Sequence, residues 1–344
     1  MRLLEITAPS PQLPPRGVIA HDVRDPQQPS RILARKGSLL GHAELDDLLG
    51  HGEVGPLHLL VPDEGDLSED EAASRLAETV SGPGVACGTT HYGQVTFTSA
   101  RRGWFRIDER AVDDINGLDG VLLFTAEPNC PVDTGATLGG VKCGPLLLGQ
   151  ATIEAVRAIG AALEVVPFRP LRVAFVAPTA RLRGGAFEQA RTSLSASLAW
   201  YGSALDVVPA TSASVDGVAD AFRAALRSGV GLVLAAGASA TDPADLLFEG
   251  LRAAGGDVDQ IGVPAEPGTA CWIGHLDDLP ILGLASCELF GKPGALDLLL
   301  PRILSGQPLN KRLVRGLGRG GLVVGGPSRL APYHHGPDRA ADRS

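Results

Sequence analysis

Apolar runs of strand length alternate with amphipathic stretches of helix length through the second half of this 344-residue chain. Residues 172–177, 205–208 and 231–235 read as strands, and 187–201, 215–227 and 243–254 as the helices between them. Such alternation predicts a parallel, doubly wound sheet, because each crossover helix returns over a face of the sheet before the next strand starts. Strand-like pieces at 258–263, 270–274 and 280–284 then lead to a helix over 293–304. Residues 316–326 are glycine-rich and predict a closing strand or loop, and the Pro, His, Arg and Asp content of 327–344 predicts a disordered tail.

The first half is more broken. Short strands are expected at 17–19, 38–40, 57–61 and 121–124, with helices over 44–49 and 151–163. Ser68-Glu69-Asp70-Glu71 forms a capping box that opens a helix running to about Val80. Alternation at Val95 and Phe97, then Trp104, Phe105 and Ile107, predicts a hairpin, and Asp108 is placed to cap a short helix through Ile115. Pro167 and Pro170 bracket an extended link, since each holds its preceding residue in extended geometry. The expected architecture is therefore α/β, with an α+β module over 1–166 followed by a parallel-sheet domain over 170–326.

Composition narrows the function. The 30 basic and 39 acidic residues leave a net charge of −9, which opposes general affinity for nucleic acid or an anionic membrane. No apolar stretch of 18 residues exists to span a bilayer, and the first residues lack the apolar core of a signal peptide, so the expected location is cytoplasmic. Five cysteines without a CxxC pair indicate neither a disulfide framework nor a zinc ribbon. Cys87 with His91 supplies one side of a metal site and no second side, while His21-Asp22 reads as a polar turn pair and His334-His335 as solvated tail.

Open α/β sheets bind ligands beyond the carboxyl ends of their strands. Three segments belong there. The first, Gly237-Ala238-Ser239-Ala240-Thr241-Asp242-Pro243-Ala244-Asp245, combines small residues, two hydroxyls and a helix start, with Asp242 expected at the N-cap and Pro243 at the first helical position. The second, Glu266-Pro267-Gly268, is a tight turn. The third, Ala285-Ser286-Cys287-Glu288 through Lys292 and Pro293, offers Ser286, Lys292 and another helix start. A buried thiol is the ordinary reading of Cys287.

In that order, the Gly-x-Ser and Asp arrangement at 237–245, the Glu266-Pro267-Gly268 turn and the Leu279-Pro280-Ile281-Leu282-Gly283-Leu284 strand resemble the molybdopterin-binding domain. This domain is shared by molybdopterin adenylyltransferase and molybdopterin molybdenumtransferase of molybdenum cofactor biosynthesis. The resemblance spans about 170–304, and 237–304 looks closest to a bacterial group of molybdopterin-binding proteins. It implies that Thr179, Gly237, Ser239, Gly268, Gly283 and Ser286 bind molybdopterin. Asp242 and Asp245 would be catalytic, with Asp242 on magnesium. Two activities are compatible with it. One is magnesium-dependent nucleotidyl or molybdenum transfer using ATP or CTP and molybdate; the other is a non-catalytic carrier or sensor that hands the cofactor to a molybdoenzyme. A homo-oligomer is expected in either case.

The chain also departs from the family pattern. Ala236-Gly237 replaces an adjacent glycine pair, Ala285-Ser286-Cys287-Glu288 replaces a Pro-Gly-Asn-Pro loop, and Pro178-Thr179-Ala180 keeps the threonine without its acidic partners. Binding is thereby better supported than transfer.

Overall fold

The structure, a computed structural model, describes residues 1–7, 13–50, 56–178, 182, 185–210, 212–322 and 330–331. The chain forms two compact units. Unit 1 comprises Met1–Ala100, Arg106–Pro128 and Thr134–Val165; unit 2 comprises Arg101–Phe105, Asn129–Asp133 and Val166–Ser344.

Unit 2 is built on a six-stranded mixed sheet. Its strands in chain order are Arg172–Pro178 (β1), Ala204–Ala210 (β2), Leu232–Ala236 (β3), Asp257–Ile261 (β4), Trp272–Leu276 (β5) and Leu279–Leu284 (β6). In space they follow the order β2-β1-β3-β6-β5-β4. The helices of this unit are Ala186–Trp200 (α1), Val215–Arg227 (α2), Leu246–Ala254 (α3), Ala295–Leu304 (α4) and Lys311–Gly316 (α5).

Strand β1 is buried from Val173 to Pro178 and β3 throughout, as expected of strands covered on both faces. The pleat sorts their side chains. Val173, Phe175, Leu232 and Leu234 join Leu194 and Leu198 of α1 and Leu299 and Leu300 of α4 in one core. Ala174, Val176, Val233 and Ala235 join Val218 and Phe222 of α2 and Phe248 and Leu251 of α3 in the other. Leu330 and Ala331, within the segment expected to be a disordered tail, are buried in the first of these cores.

The expectation of a parallel sheet holds for β1 with β2, β1 with β3, and β3 with β6. It fails at the other side, where β4, β5 and β6 form an antiparallel meander. The reason is chain length: only Asp277 and Asp278 separate β5 from β6, and a parallel return needs a crossover of about a dozen residues or more.

Unit 1 is antiparallel in its main sheets. Leu57–Val61 lies between Arg2–Ile6 and Arg16–Ile19, with Leu39–Gly41 beyond. A second sheet orders Val121–Thr125, Thr137–Cys143, Gln94–Ser99 and Val85–Cys87. Helix Glu69–Val80 carries the expected capping box at Ser68 and buries Ala72, Ala73, Leu76, Ala77 and Val80. Asp108 caps the helix Glu109–Asn116, accepting from Ala111 N at 3.1 Å. The expected hairpin at 95–107 does not form. Gln94–Ser99 pairs with Thr137–Cys143, whereas Gly103–Ile107 pairs with Cys130–Val132 in another sheet.

Among the described residues, no helix is long and apolar enough to cross a membrane.

Candidate functional site

Topology gathers the three predicted segments at one edge of the unit 2 sheet. Strands β3 and β6 are parallel neighbours with Ala236 opposite Leu284, so their exit loops start side by side. Strand β4 reaches the same edge, because Ile261 pairs with Trp272 and Trp272 with Gly283. The segment containing Glu266 and Gly268 therefore leaves from there as well. Pro178 ends β1 on this edge, and Thr179 lies outside the described residues.

The β3 loop is a chain of turns. Gly237 starts it with φ +98°, in the left-handed region that side-chain-bearing residues avoid. Asp242 N donates to Ser239 O at 3.0 Å, and Asp245 N to Asp242 O at 3.0 Å. These turns delay the helix: α3 begins at Leu246, and its N-cap is Asp245, not Asp242. Asp245 is only 2% exposed. One carboxylate oxygen accepts from Leu247 N at 2.9 Å and the other from Ser239 N at 3.0 Å, so a single side chain both caps the helix and ties down the loop. Asp242 is exposed and accepts from Ala244 N at 3.0 Å, an Asx turn. The sequence misleads here because both aspartates precede apolar helix residues and Pro243 imitates a first helical position.

Ser239 and Thr241 remain exposed, their hydroxyls 3.2 Å apart. They are the groups of this loop best placed to meet a ligand. Both Asp245 oxygens already accept backbone N–H bonds, which leaves Asp242 as the lone exposed carboxylate of the pair. Among the described residues, no three His, Cys, Asp or Glu side chains form a metal-binding group.

The β6 loop differs. Glu288, 4% exposed, lies against the start of α4 and accepts from Leu296 N at 2.9 Å on one oxygen and from the Cys271 thiol at 2.9 Å on the other. Cys271 in turn accepts from Ala285 N at 3.3 Å. Asp297, also buried, accepts from Gly294 N at 2.9 Å. The chain's own carboxylates thus take the amides that an anionic ligand would need. Burial raises the Glu288 carboxyl from 4.5 to about 7, and it raises the Cys271 thiol as well, with Glu288 adding to the effect. Sequence reasoning passed over this pair. Its one signal was an acidic residue seven positions before the helix, and the Cys271 partner is visible only in three dimensions.

The glycines of these segments serve packing. A Cβ at Gly283 would lie 1.9 Å from the Trp272 ring, and one at Gly268 2.5 Å from Ala295 Cβ and 2.9 Å from a Glu288 oxygen. Both let a side chain or helix approach the backbone. Ser286 and Lys292 are exposed on the β6 loop. Cys287 is half-buried, and burial pushes its thiol up, away from the reactive thiolate.

The remaining candidates take structural roles. Asp22 accepts from Lys36 N at 2.9 Å, and His21 packs edge-on to His58. Cys87 contacts Ser81 and the Ala77 carbonyl, while the His91 ring lies against Tyr92. His334 and His335 lie outside the described residues.

No family model matches the chain, and no curated protein matches it. Among solved structures, the chain is similar to the molybdopterin biosynthesis moea protein from Pyrococcus horikosii, over 74% of this chain and 81% of that one, at 15% sequence identity and a TM-score of 0.30.

Proposed function

We propose that this chain binds molybdopterin or the molybdenum cofactor at the β3 loop and takes part in molybdenum cofactor biosynthesis as a binding and delivery protein. The observation that carries the reading is convergence: the segments resembling the molybdopterin-binding domain are separate stretches of sequence, yet they meet at the same sheet edge. Ser239 and Thr241 present hydroxyls suited to a phosphate on that edge, and exposed Lys292 supplies a cation on the neighbouring loop. Handling is favoured over transfer because Asp245 is committed to the backbone, which leaves Asp242 as the one exposed carboxylate of the pair. A molybdoenzyme would then be the recipient.

The test is to purify the chain from a host that makes the cofactor, release any ligand, and look for the fluorescence of oxidised pterin. Titration with molybdopterin follows, with and without magnesium. Bound pterin and magnesium-independent affinity are expected. Absence of pterin together with no binding would overturn the reading, and consumption of ATP or CTP on adding molybdopterin and molybdate would move the chain to the transferases.

A further inference from the structure

A second surface of unit 2 carries chemistry that the β3 loop does not use. Between Asp297 and Leu322 the sequence has Arg302, Lys311, Arg312, Arg315 and Arg319 and no acidic residue, in a chain whose net charge is −9. Part of this segment encloses a cleft of about 500 Å³ lined by Arg302, Gln307, Pro308, Asn310, Arg312 and Leu313, together with Gly316. The Leu304 carbonyl accepts from Arg169 N at 2.7 Å, three residues before β1 starts. The end of α4 therefore lies at the edge where β1 begins, opposite the edge that carries the β3 loop.

The polar side chains of this cleft are arranged to donate. Arg302 is held in place by the Trp104 ring, 4.8 Å from guanidinium carbon to ring centroid, and by its bond to the Leu298 carbonyl. Asn310 uses its side-chain oxygen to cap α5, accepting from Leu313 N at 3.0 Å, which leaves its amide hydrogens for another partner. Gln307 adds a second amide. Lys311, Arg312, Arg315 and Arg319 are exposed, and none of them is in an ion pair among the described residues. Among the described residues that line the cleft there is no carboxylate.

We infer that this cleft is a binding site for a small phosphoryl-bearing anion, with Arg302 and Arg312 as its charged contacts and Asn310 as a neutral donor. Guanidinium groups match the oxygens of a phosphate, the amide supplies a further directed bond, and Pro308 with Leu313 offers an apolar wall for the organic part of the ligand. The volume falls within the usual range for small-molecule sites. The inference does not depend on the reading of the β3 loop.

Pyrophosphate is the probe, used with the full chain in calorimetry and hydrogen exchange. Binding is expected to slow exchange within residues 302–316. Arg312→Gln should weaken it at least fivefold, whereas Arg227→Gln, an equal charge change on the exposed end of α2, should alter it less than twofold. Asn310→Asp keeps a competent cap while turning a donor into a carboxylate, so it should lose binding without lowering the melting temperature. The inference is overturned if pyrophosphate does not bind, if Arg312→Gln and Arg227→Gln weaken it equally, or if protection falls on residues 237–245 instead.

Discussion

Two helices, α3 and α4, start at the same edge of one sheet, and acidic side chains take amides at both starts but differ in what else they hold. At α3, Asp245 sits behind the loop, binding Ser239 N and Leu247 N while the hydroxyls of Ser239 and Thr241 face solvent. At α4, Glu288 and Asp297 occupy the helix start itself. The first arrangement braces a loop and leaves its outer surface open; the second fills the place where an anion would go. A helix start therefore becomes a ligand site only when its amides are left over after the chain's own carboxylates have been served.

The sharpest way to break this contrast is Asp245→Ala. It removes a cap and leaves the part-buried Ser239 amide without its acceptor, so a loss of about 2 kcal/mol is expected in denaturant unfolding. Asp245→Asn should recover only part of this, since its amide nitrogen would face Ser239 N as donor against donor.

The α4 start should reveal itself through pH. Glu288 has its carboxyl raised from 4.5 to about 7 by burial, so the folded chain holds a proton that the unfolded chain releases. Its contribution to stability is therefore full below about pH 4.5 and lost as pH rises through 7, by about 2 kcal/mol between pH 5 and 8. Glu288→Gln should remove that share of the slope in unfolding curves measured across this range. An unchanged slope would mean that Glu288 ionises as it does in water.

Smaller effects separate the two faces of the β3 loop. Ser239→Ala should weaken molybdopterin binding by about 1.5 kcal/mol, roughly tenfold, with stability unchanged in thermal melts. Asp242→Asn should shift stability and affinity by less than about 0.5 kcal/mol, because asparagine accepts the same Asx-turn bond. A large loss of affinity in that variant would restore a role for the Asp242 charge.

Local rules were legible in the sequence. The capping box at Ser68 and Glu71 and the cap at Asp108 appear where the residues predicted them, because the partners lie within three positions. The alternation of strands and helices over 172–254 was equally readable, since burial on both sheet faces writes continuous apolar runs. What failed depended on distant partners. Gln94–Ser99 finds its neighbour some 40 residues later, so proximity to Gly103–Ile107 was a false guide. The packing demand at Gly268 and Gly283 is invisible until Ala295 and Trp272 are seen against them. The role of Glu288 required Cys271 and α4 to meet around it.

The stacking of Arg302 on Trp104 has a consequence for how unit 2 forms. The partners are 198 positions apart, and Arg102, stacked 4.5 Å from the Trp200 ring centroid and paired with Asp133, closes a second long loop. Contacts of such separation carry a large closure entropy and slow the search for the native topology. During synthesis Trp104 leaves the ribosome long before Arg302 exists, so Gly103–Ile107 can pair with Cys130–Val132 early while its ring contact with Arg302 waits for nearly 200 further residues.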